Sequence, residues 1–142
     1  PYTTLFRSAI QFGTTVRNDW LDRFEVQVGT APILTIRTGA QPATCATANS
    51  GTVLATLTLP SDWMSAAAAG SKAKLGTWSD GSADATGTAA HFRLHDSTGV
   101  TCHMQGTCTV TGGGGDMTLD SVSLTATQVF TITAFTLTAP GA

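Results

Sequence analysis

The chain has 142 residues, enough for one domain with a real core and too few for two. Only 11% of it is charged, against about 25% in an ordinary globular protein. A formal net charge of -2 without any basic run excludes a general electrostatic pull toward nucleic acid, and no stretch of about 18 apolar residues is present to span a membrane.

The opening octet, PYTTLFRS, does not read like the start of a protein. Back-translated in the right codons, residues 2–8 resemble TAC ACG ACG CTC TTC CGA TCT, the read-through of a common sequencing adapter, and a leading CCC supplies Pro1. Residues 1–8 are therefore expected to be an artefact and are set aside from fold and function. The natural chain is expected to begin near Ala9, with residues 9–13 as a short uncharged arm onto a neighbour.

Residues 14–29, TTVRNDWLDRFEVQVG, predict the chain's one helix, over about 15–28. Val16, Trp20, Phe24 and Val28 recur every four residues, with Leu21 on the same side. Thr14 or Thr15 can cap its start, and Gly29 suits the position after its end. Asp19 and Arg23 stand one helical turn apart as a surface ion pair. The aromatic stripe either covers the domain's own core or meets a neighbouring subunit.

The period then changes from four to two. PILTIRTG and GTVLATLTLP predict strands, the second with Val53, Ala55, Leu57 and Leu59 inward and Thr56 and Thr58 outward. Residues 40–50 between them are a loop. Ser61 reads as an N-cap, so residues 61–70 predict a short helix or turn. SKAKLGTWSD is extended. AAHFRLHDSTG and VTCHMQGTCTV form a hairpin about an Asp-Ser-Thr-Gly turn, and TGGGGD is a flexible tip. MTLDSVSL and TQVFTITAFTLTAP close the domain. In the last of these, Phe130 and Ile132 lie on one face but Phe135 and Leu137 on the other, which calls for two part-buried faces or a bulge near Thr133–Ala134. The expected fold is mainly β: a two-sheet antiparallel sandwich of jelly-roll or immunoglobulin-like kind over residues 14–142, with one N-terminal helix.

Little in this chain points to catalysis. His91, Arg93 and His95 share a strand face, and His103 can fall opposite them. Zinc is the chemistry to test there, but no C-x-x-C or H-E-x-x-H spacing accompanies them, and no metal ligand set is assigned. The expected role is a polar surface or subunit contact answered by Asp96. TGGGGD lacks the Lys-Ser/Thr of a phosphate loop. Most of the aspartates sit at turns, and no nucleophile–base order or cofactor motif is present, so neither catalytic residues nor a cofactor is assigned. Three cysteines cannot all pair, and free thiols in a reducing cytosol are expected, although Cys102 and Cys108 can approach across a hairpin. Trp63, Trp78 and Phe92 are candidates for a sugar-stacking platform, with core packing as the competing fate.

The segments AIQFGTTVRNDWLD, ATLTLPSDWM, SKAKLGTWSD, GTAAHFRLHDSTGVTCHMQGT and FTITAFTLTAPGA resemble a family of small structural proteins of tailed-bacteriophage virions. The resemblance runs from Ala9 to Ala142 and departs from the family at Trp20, Phe24 and the extra thiol Cys108. It implies a virion component made in the bacterial host cytoplasm, with no catalytic residues. The first expectation is a capsid decoration or cement protein, a dimer or trimer bound to the major capsid protein or other virion proteins. Its candidate interface is Phe12, Trp20, Phe24 and Val28. The alternative is a tail, collar or baseplate fibre domain that binds a host surface glycan through Trp63, Trp78 and Phe92.

Overall fold

The computed structural model describes residues 10–141; the octet, Ala9 of the expected arm and Ala142 lie outside the described residues. Over the described residues the protein is mainly β with one helix. Helix α1 spans Thr14–Val28 and is followed by strands β1 (Ile33–Arg37) and β2 (Val53–Thr58). Strands β6 (His91–His95), β7 (Cys102–Val110) and β8 (Met117–Leu119) join them in a five-stranded sheet of order β2-β1-β6-β7-β8.

Alternation along these strands gives the sheet two unlike faces. One face carries Leu34, Ile36, Ala55, Leu57, Phe92 and Leu94, brought side by side by the registers Leu34↔Leu57, Leu34↔Leu94 and Ile36↔Phe92. All six are buried in the core. The other face carries Thr35, Arg37, His91, Arg93 and His95, in the registers Thr35↔Arg93 and Arg37↔His91.

Three two-stranded ribbons complete the fold. β4 (Trp78–Asp80) pairs with β10 (Phe130–Ile132), β3 (Ser71–Ala73) with β11 (Thr136–Thr138), and β5 (Gly87–Thr88) with β9 (Ser123–Leu124). The phase conflict in the last strand is resolved by a break. Residues 133–135 leave the ladder between β10 and β11, so Phe130 and Ile132 serve one ribbon and Leu137 the other. Aromatic rings tie the ribbons to the sheet: Trp63 lies 6.0 Å from Trp78, Trp78 lies 5.4 Å from Phe135, and Phe135 lies 6.3 Å from Phe92. The Phe92 ring sits over Gly106, its cross-strand partner, where an added Cβ would come within 2.6 Å of it.

Of two local expectations, the first holds only in its turn alternative and the second fails. Residues 61–70 form no helix; they run extended into a tight turn at Ala69–Gly70, with bridges Met64↔Lys74 and Ala68↔Ser71. TGGGGD is no free hairpin tip either. Gly112 and Gly114 take positive φ, Gly113 donates its N–H to Val110 O, and Gly115 donates its N–H to Thr109 Oγ1. Asp116 Oδ2 accepts from the N–H and hydroxyl of Thr107. The chain thus doubles back beside β7 and enters β8 parallel to it, where a hairpin would have produced an antiparallel pair.

Candidate functional site

The helix positions the candidate interface, and its packing differs from the four-residue stripe. A spacing of four advances 400° about an axis of 3.6 residues per turn, so it drifts about 40° at each step. Val16 and Val28 cannot share a face. The buried line is instead Arg17, Leu21, Phe24 and Val28. Val28 lies in the core, and Phe24 packs edge-on to Trp63 with centroids 6.0 Å apart. Val16 and Trp20 face outward, with Trp20 40% exposed. Of the four candidate interface residues, Phe24 and Val28 are therefore internal, while Phe12 and Trp20 meet at the surface with ring centroids 4.6 Å apart. The Phe12 N–H donates to Gly141 O, which ties this segment to the other end of the chain. Neither threonine caps the helix: Gly13 occupies the N-cap position without a side-chain bond. At the other end Gly29 has φ 86 and donates its N–H to Glu25 O, as expected.

Beside this apolar packing, a polar clamp that the sequence pattern did not reveal holds α1 to the body. Glu25 Oε1, Asp22 Oδ1 and Asn18 Oδ1 accept the backbone N–H groups of Met64, Ala67 and Gly70 at 3.2, 3.0 and 2.8 Å. The two rows match because 18, 22 and 25 follow one helix face while an extended chain presents donors at regular intervals. These bonds take up amide groups that a helix over residues 61–70 would need for itself. Lys72, almost fully buried, bridges Asp22 Oδ1 at 2.6 Å and Glu25 Oε2 at 2.8 Å. Among the described residues these are the ion pairs, so Asp19 and Arg23 form none. Burial alone would depress the Lys72 ammonium, but hydrogen bonds to Asp22 and Glu25 lift it above its ordinary value. Bonding to Lys72 and to the Ala67 amide holds Asp22 below the usual carboxylate range. The sequence signal was present as Asn18, Asp22 and Glu25 on one helical line, masked by the louder aromatic pattern.

The polar face of the sheet is the second site. His91, Arg93 and His95 are at most 2% exposed, which corrects the expectation of a surface strip. The 40–50 loop lies across them, and the sheet supplies donors to its carbonyls. Arg93 Nη2 donates to Cys45 O at 2.6 Å, and its Nη1 to Thr47 O at 3.0 Å and Asn49 Oδ1 at 2.8 Å. Arg37 Nη1 donates to Ser50 O, Gln105 Nε2 to Pro42 O, and His91 Nδ1 to Gly39 O. Carbonyl dipoles thus take the place of a carboxylate counter-ion. Asp96 does not answer this face; its Oδ1 accepts from the Thr98 hydroxyl and from the amides of Thr98, Val100 and Thr101, and these bonds bring its carboxyl to about 2. Burial, with Arg37 and Arg93 nearby, pushes both His91 and His95 below the ordinary imidazole value. Both rings are neutral at pH 7.

Between the loop and the sheet lies a cavity of about 320 Å³, lined in part by Cys45, Asn49, Arg93, His95 and Cys102. No group of three metal-ligating side chains gathers among the described residues, here or elsewhere. Cys102 and Cys108 do not meet. Cys102 and His103 together oppose His95, a bulge that turns Cys102 toward the polar face, where Arg93 Nε donates to its sulfur at 3.3 Å. Cys108 stays in the core.

The candidate sugar platform is internal. Trp63, Trp78 and Phe92 are 2% exposed or less, and the indole N–H groups donate to Gly29 O and Leu75 O. None presents a ring face to a ligand, because the small ribbons and the sheet need these rings to fill the space between them. No helix among the described residues is long and apolar enough to cross a membrane. Comparison with protein families, with curated proteins and with solved structures finds nothing that matches this chain.

Proposed function

We propose that this protein is a structural component of a tailed-bacteriophage particle, a capsid decoration or cement protein that stabilises the head by protein–protein contacts. The observation that carries the reading is the outer face of α1. A tryptophan, Trp20, is left 40% exposed beside Val16 and against Phe12, on a helix whose opposite face is fastened by three amide bonds and a buried lysine. An apolar strip on a rigid mount suits contact with another chain, since little ordering is lost on binding. Low charge and abundant threonine suit a surface that meets a capsid lattice through shape and neutral hydrogen bonds. In this reading the partners are the major capsid protein and further copies of this chain, as a dimer or trimer, and the protein resides in the virion after synthesis in the host cytoplasm. The sheet and the ribbons over its apolar face are read as a departed form of the two-sheet sandwich. Burial of Trp63, Trp78 and Phe92 removes the support for a glycan-binding fibre domain.

The test is co-sedimentation with expanded capsids. Wild type should bind near-stoichiometrically to its sites, and Trp20→Asp should lose binding by at least tenfold while keeping the wild-type unfolding midpoint within a few degrees. Equal binding by both proteins sinks the interface, and no binding by wild type sinks the virion role.

A further inference from the structure

We infer that Cys45 and Cys102 are a redox pair that closes into an intramolecular disulfide and clamps the 40–50 loop onto β7. Three observations place them together. Both line the same cavity beneath the loop. One guanidinium touches both residues, since Arg93 donates Nη2–H to Cys45 O and Nε–H to Cys102 Sγ. Burial, with the Cys102 thiol nearby, also raises the Cys45 thiol above its ordinary value. Both residues are half-buried, so a small oxidant can reach the cavity past the exposed Val100 at its rim.

The odd cysteine count then resolves into a pair and a spectator. Cys108 is buried among apolar side chains, and burial, with Asp116 nearby, pushes its thiol up to about 12, so it carries almost no thiolate. Arg93 already holds the two segments in place, and a disulfide between them replaces a contact that is noncovalent in the reduced protein. The 56 residues between the two cysteines make the closed loop long, which is the case where a crosslink restricts the unfolded chain most.

The chemistry is thiol–disulfide exchange with a low-molecular-weight disulfide such as oxidised glutathione. One cysteine of the pair loses its proton, attacks a sulfur of the oxidant and expels one glutathione thiolate. The second cysteine loses its proton and attacks the resulting mixed disulfide, forming the Cys45–Cys102 bond and expelling the second thiolate. Two protons and two electrons leave the protein, and the oxidant becomes two thiols.

The experiment treats the native full-length protein with graded ratios of oxidised to reduced glutathione, blocks free thiols, and maps peptides without reduction. The expected product is a single Cys45–Cys102 link, with Cys108 blocked only after denaturation. Cys108→Ser should keep the link and Cys45→Ser should lose it. The oxidised protein should unfold on the order of 5–10 °C higher than the reduced one, and a dithiol reductant should abolish the difference. A link that involves Cys108, a disulfide between chains, a stable mixed disulfide with glutathione, or two free thiols in fully oxidised glutathione each overturns the inference. The wild-type map decides the matter even where a variant fails to fold.

Discussion

Replacing Lys72 with methionine tests the mount on which the candidate interface stands. Methionine preserves most of the buried stem and deletes the ammonium between Asp22 and Glu25, which sit at 2.6 and 2.8 Å. Removing one partner of a fully buried ion pair costs about 3–5 kcal/mol, because a charge is left without compensation. Here the abandoned carboxylates are better placed: the side chain of Asp22 is 49% exposed and that of Glu25 is 21% exposed, and both keep their amide donors. Water recovers part of the loss, and about 2–3 kcal/mol is the expected destabilisation. Chemical denaturation at pH 7 measures it. The pH dependence supplies the control. Asp22 is depressed in the folded state, so its contribution is present above the unfolded value near 3.8 and fades as pH falls through the folded value. The gap between wild type and Lys72→Met should therefore narrow below about pH 4, where carboxylates take up protons. A variant within about 0.5 kcal/mol of wild type at pH 7, below even an ordinary surface pair, would refute the claim that a polar clamp holds α1.

Other consequences follow from the same geometry. Gly70→Ala should cost about 2–3 kcal/mol: φ is +74, and the new Cβ would lie 2.3 Å from the Arg17 guanidinium, displacing its bond to Ala139 O. Differential scanning calorimetry reads this as a lowered midpoint, and an unchanged midpoint would contradict the close approach. Trp63→Ala should destabilise by about 3–5 kcal/mol, whereas Trp20→Ala should stay within about 1 kcal/mol, which equilibrium denaturation separates cleanly. Stability should decline with acid in two windows. His91 and His95 have depressed folded values, so the unfolded chain binds their protons first and stability falls below about pH 6.5. Asp96, at about 2, and Asp116, also lowered, withdraw their contribution below about pH 4. Denaturation midpoints between pH 7 and pH 3 should show both, and a flat profile from 7 to 5 would mean the two histidines are not held neutral.

Local chemistry alone determined a good deal of this molecule. The helix Thr14–Val28, the strands beside the 40–50 loop, the Asp96 turn and the phase conflict in the last strand all rest on period, turn residues and alternation, which act between near neighbours. Tertiary structure decided what each face met. The helix turned Trp20 outward because a four-residue repeat drifts around the axis and because Asn18, Asp22 and Glu25 found backbone donors some forty to fifty residues away. The histidines and Arg93 became internal because a loop closed over them with carbonyls where a carboxylate was expected, and Cys102 cannot reach Cys108 because both lie on the one strand β7, where a bulge turns Cys102 to the polar face. Periodicity says which side chains travel together; only the packed chain supplies the partner that makes a face buried or bare.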